Sequence, residues 1–147
     1  MKIIIKTKGS RLMTDRLKQT TVMEKYPVTT MEITKTETTF KSVDEILVYL
    51  KEQIDSHPVA TYIATFDHYT HTKSLGENGD ISADILDAKN IICCFGKQLP
   101  MPVFLAIRPR SIGVAEMNNK FVVSFMDAPN PQAHEVMASW IKSIVNV

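Results

Sequence analysis

An aspartate and two histidines three residues apart, Asp67, His68 and His71, precede a pair of adjacent cysteines, Cys93 and Cys94. Imidazole nitrogen and thiolate sulfur are donors that zinc and copper favour, so His68, His71, Cys93 and Cys94 make a candidate metal set. The same residues admit a second chemistry. A cysteine becomes nucleophilic when a histidine or a helix N-terminus lowers its pKa, which would make a thiol-dependent enzyme or redox protein of the Asp67-His68-His71 turn with Cys93 or Cys94. Neighbours on a strand point to opposite faces, so at most one of the two cysteines can look toward the histidines and the other belongs in the core. A third group is Arg108-Pro109-Arg110, whose guanidinium groups can grip a carboxylate or phosphate. Each group also has a plainer explanation: Asp67 as a helix cap, the cysteines as small buried apolar residues, the arginines as a solvated strand entry. Asp67, His68, His71, Arg108 and Arg110 are thus ligand-binding candidates, and no residue is assigned a catalytic role.

The histidines converge only if the backbone turns between them, because residues three apart share a face on a helix and oppose each other on a strand. The preceding run, residues 60–66, is β-branched and aromatic and reads as a buried strand. Asp67 is a favoured N-cap, Gly76 a favoured C′ residue, and neither Gly nor Pro lies between them. A short helix from His68 toward Leu75 follows, and a pocket is expected between its start and the strand at 90–95.

Elsewhere the spacing is more regular. Residues 28–37 alternate as a strand with an edge character. Ser42 with Glu45 forms a capping box, Val43, Ile46, Leu47, Leu50 and Ile54 form an apolar stripe, and Pro58 ends that helix. Residues 76–80 are a turn and 81–89 are ambiguous between helix and irregular chain. Residues 103–107 suit one helical turn or an entry strand. SIGVAE and KFVVSF flank Met117-Asn118-Asn119 as a hairpin, and Val136, Met137, Trp140, Ile141 and Ile144 mark a final amphipathic helix. The expected order is β-α-β-turn-β-β-β-α, an α+β domain with a mainly antiparallel sheet and helices packed on it. His57 and His134 are expected at the surface, and the eight methionines are dispersed as core filler rather than spaced as a copper series.

At 147 residues, 44% hydrophobic and 22% charged, the chain suits one soluble domain. No apolar run reaches the length of a membrane span, and the opening residues lack a signal peptide's apolar stretch, so a cytoplasmic location is expected. The formal charge of +1 hides an asymmetry: the first 25 residues carry seven Lys and Arg against Asp15 and Glu24. Residues 1–25 are read as a basic arm, flexible or swapped between subunits, with 26–147 as the domain; Met13 and Met23 leave open a later start. Nucleic acid is not an expected partner, because aromatic residues do not interleave with these charges.

The runs YIATFDHYTHT, IICCFG, LAIRPRSIGVAE and KFVVSFMDAP resemble the domain of unknown function 302 family, whose strands end in Asp-His and Phe-Gly and whose hairpin leads to Asp-Pro. The matching positions are Asp67, His68, Phe95, Gly96, Pro109, Asp127 and Pro129, and the resemblance covers residues 28–129. It implies a compact α+β fold that tends to dimerise and no established activity. The expectation is a small homodimeric module that binds a ligand or partner.

Overall fold

The computed structural model describes residues 2–3 and 16–145. Seven antiparallel strands form one sheet in the order β1-β2-β3-β7-β6-β5-β4. In chain order they are β1 (Lys2–Ile3), β2 (Leu17–Val22), β3 (Tyr26–Thr34), β4 (Thr61–Phe66), β5 (Asp87–Cys94), β6 (Arg110–Glu116) and β7 (Lys120–Met126). Helices α1 (Val43–Ser56), α2 (His68–Ser74) and α3 (Pro131–Lys142) interrupt them, with 3-10 turns at Gly76–Asn78 and Pro102–Ile107. This is the expected α+β class.

Helix α1 starts where its capping box lies: the Ser42 hydroxyl accepts from the Glu45 N–H at 3.1 Å, and the Glu45 carboxylate reaches back to the Lys41 N–H at 2.7 Å. Its buried residues are Val43, Ile46, Leu47, Leu50 and Ile54, the stripe legible in the sequence. They meet the sheet face formed by Met31, Ile33, Ile91, Cys93, Ile112, Val114, Phe121, Val123 and Phe125. Helix α3 adds Met137, Ala138, Trp140 and Ile141 to the same core. Burying one such aliphatic side chain contributes about 1.5–3 kcal/mol, so this single apolar layer is what holds helices to sheet. The opposite sheet face carries a row of small and polar residues in cross-strand register, Thr30 against Ser124, Ser124 against Gly113 and Gly113 against Asn90, which ends at the aromatic Phe66.

Three placements differ from the sequence reading. Strand β3 is interior, paired to β2 on one side and β7 on the other. One edge is β1 and the other is β4, whose residues are exposed apart from a half-buried Tyr62. Apolar content therefore marks a sheet edge here, with Ile63 at 49% and Phe66 at 43% exposure. Finally, Leu17–Val22 of the stretch read as an arm lies in the sheet, where Leu17 is buried and Arg16 pairs with Glu37 at 3.0 Å. The β2–β3 turn holds Met23 and Glu24 at φ 54° and 61°, a conformation that Gly or Asn usually supplies, which hid the hairpin from sequence reading. Lys6, Lys8 and Arg11 lie outside the described residues.

Candidate functional site

The histidine turn folds as its residues dictate. Asp67 caps α2, its carboxylate accepting from the Thr70 N–H at 3.0 Å and the Thr70 hydroxyl at 2.9 Å. These bonds, the backbone one first, hold the Asp67 carboxyl below its usual pKa, with Lys89 at 3.6 Å adding to the effect. Lys89 is tied more closely to Asp44 at 2.5 Å, a hydrogen bond that raises its pKa. His68 and His71 do share a face: both rings lie on Phe66, at 5.5 and 5.6 Å between centroids. That face is exposed, and His68 is engaged locally through a 3.0 Å contact of its Nδ1 with the Thr72 hydroxyl.

The cysteines are elsewhere. Strand β5 runs antiparallel to β4 with Asn90 opposite Phe66 and Cys93 opposite Tyr62. At about 3.3 Å per residue the cysteines sit roughly 10 Å along the sheet from the end that carries the histidines. Cys93 faces the core, where burial pushes its thiol up to about 11, opposite to what a nucleophile needs. Cys94 turns the other way and is half-buried. The structure does not bring His68, His71, Cys93 and Cys94 together, and among the described residues no group of three or more His, Cys, Asp or Glu is placed to hold a metal ion.

The arginines, by contrast, share a cavity. It opens beyond the C-terminal end of β5, at about 470 Å³, between residues 94–98, the 3-10 turn with Arg108 and Arg110, and the start of α3. The sequence-predicted pocket beside the histidine turn is therefore not where this cavity lies; it sits at the opposite end of the same strand. Gly96, at φ 54°, turns the chain out of β5 in a conformation that side chains rarely adopt, while an added Cβ would only touch the Cys94 sulfur at 3.4 Å. The Arg108 guanidinium lies 5.5 Å from the Phe104 ring and donates to the Gln98 carbonyl at 2.6 Å.

Arg110 is the unusual member. Its first position on β6 directs it inward, and only 9% of it is exposed. Its guanidinium donates to the carbonyls of Ile107 (3.3 Å), Met126 and Asp127 (3.1 Å). The buried Nε has no partner. Burial lowers its pKa from the ordinary arginine value, though it stays charged at any physiological pH. The Asp127 carboxylate is occupied by Thr29 at 2.6 Å and Gln19 at 3.2 Å, so it ties β2 and β3 to the end of β7. Lys97, Gln98, Phe104 and Asn130 complete the cavity wall and escaped the sequence reading, because they meet only when three separate loops converge. Asn130 left one signal, as a polar residue before Pro131 at a helix start.

His57 and His134 are half-buried structural residues rather than surface ones. His57 accepts from the Val59 and Ala60 N–H groups, both at 3.1 Å, and packs edge-on against Phe95 and Trp140. His134 packs against Phe125 at 5.3 Å.

A scan against protein families matches residues 17–146 to a family of unknown function (DUF6858). The chain belongs to this family. The resemblance to domain of unknown function 302 is thereby replaced: a family of unknown function is found, and it is a different one. The match begins at the first residue of β2, so this DUF6858 domain includes the β2–β3 hairpin. Comparisons with curated proteins and with solved structures returned no match. Among the described residues no helix is long and apolar enough to cross a membrane.

Proposed function

We propose that this DUF6858 protein is a small ligand-binding module that works as a homodimer in the cytoplasm, with the cavity beyond β5 as its ligand site. The observation that carries the reading is that Arg108 and Arg110, singled out as ligand-gripping residues, line one cavity of about 470 Å³ that also holds apolar side chains. Concave sites of roughly 300–1,000 Å³ with few convergent polar groups are the usual form of a small-molecule site. Self-association is supported by the exposed edge strand β4 and by the sheet face of small residues, including Ser111, Gly113 and Ser124. Asp67, His68 and His71, beside the exposed Phe66, belong in this reading to the partner-facing edge and not to the ligand cavity.

A fragment screen by NMR on isotopically labelled protein tests the site. Hits are expected to shift the amides of Gly96, Phe104 and Ala133 together. Hits that cluster at α2, or shifts that leave those three amides unmoved, would overturn it.

A further inference from the structure

The cavity's lining is one-sided in charge. Lys97, Arg108 and Arg110 contribute to it, and no Asp or Glu does. Arg110 is the decisive residue: an arginine only 9% exposed, its guanidinium satisfied in part by main-chain carbonyls, with a buried Nε that lacks a partner. No carboxylate among the described residues lies within ion-pair distance of it; the charge of Asp127, whose oxygens are held by Thr29 and Gln19, acts on it only from beyond that distance. Holding a charge in such a place is costly unless a counter-charge is supplied. Helix α3 adds a further positive element by presenting its N-terminal end, through Asn130, Gln132 and Ala133, to the same space. The Asn130 side chain already accepts from the Gln132 and Ala133 N–H groups, so the helix contributes field rather than free donors. Phe95, Phe104 and Ile107 supply apolar lining to the same cavity, Phe104 beside the Arg108 guanidinium.

We infer that the cavity takes a small organic anion, a carboxylate or phosphate head facing Arg110, Arg108 and Lys97 and an apolar body against Phe95, Phe104 and Ile107. This rests on the ligand-site reading above and names its substrate class. Arginine suits either head because its planar donors match both, and the carbonyl bonds that hold Arg108 and Arg110 orient them before a ligand arrives. An inorganic ion alone would leave the apolar wall unused.

Benzoate, phenyl phosphate and the neutral benzamide are the probes, titrated into the full chain while amide shifts of Gly96, Phe104 and Ala133 are followed. At least one anion is expected to bind there at least about tenfold more tightly than benzamide, with affinity falling as salt rises. Preference between benzoate and phenyl phosphate identifies the head. The K97Q/R108Q double variant, altered at the cavity rim, should lose that preference for the anion while keeping benzamide binding. Arg110→Gln should do the same; should it fail to fold, the rim variant decides alone. Benzamide binding as well as both anions would overturn the inference and leave the ligand site standing. Unchanged anion binding by the rim variant would also overturn it. If none of the three probes moves these amides, both the inference and the site reading fall.

Discussion

At the scale of single residues, the two cysteines make the sharpest contrast. They are adjacent in sequence, yet β5 sends Cys93 into the core and leaves Cys94 half-buried beside the cavity. In the folded protein one thiol should react promptly with an aromatic disulfide reagent at pH 8, and the second only with unfolding. Burial raises the Cys93 thiol from about 9 to about 11, so the unfolded chain releases that proton first as pH rises. Stability contributed by the neutral thiol should therefore fall between about pH 9 and 11 in a wild-type to Cys93→Ala comparison, and be unaffected below that window. Two fast thiols at pH 8 would contradict this placement. Asp67 illustrates the other possibility, a residue whose local role was legible because an N-cap bond spans only three positions and needs no tertiary contact.

At the scale of elements, α1 and the β6–β7 hairpin were readable because capping, stripe and turn residues lie within a dozen positions of each other. The β2–β3 hairpin was not, since its turn uses Met23 and Glu24 in a backbone region that favours glycine, and its strand is polar. Its importance can be measured. Leu17→Ala should cost about 2–3 kcal/mol by denaturant unfolding, at the low end for leucine because the site lies near the sheet margin. Deleting residues 1–22 removes every backbone partner that β2 offers β3, and should lower the melting temperature and promote aggregation through the newly bared edge. A deletion variant that melts like the full chain would show that β2 is dispensable.

At the scale of the whole molecule, both helices that build the core pack on one face of the sheet, and β4 ends the sheet with Ile63 and Phe66 exposed. Sedimentation equilibrium at micromolar concentration should return twice the chain mass. If the β4 edge carries the contact, the I63K/F66E double variant should sediment as a folded monomer, because charges on an edge strand oppose pairing with a second edge. Monomeric wild type would remove the homodimer, whereas a dimeric double variant would move the contact to the sheet face around Gly113.

Sequence alone determined what depends on neighbours along the chain: the caps of α1 and α2, the buried stripe of α1, the hairpin after β6, and the α+β class that their order implies. It also picked out Arg108 and Arg110 as a pair worth following. Tertiary structure alone decided which strand is interior and which is the edge, because both carry β-branched residues and only the pairing order, which runs against their apolar content, separates them. It likewise separated the cysteines from the histidines, by running β5 antiparallel to β4, and gathered Lys97, Phe104 and Asn130 around the arginines. The cavity is formed by loops that are distant in sequence, and no periodicity within any one of them records that they meet.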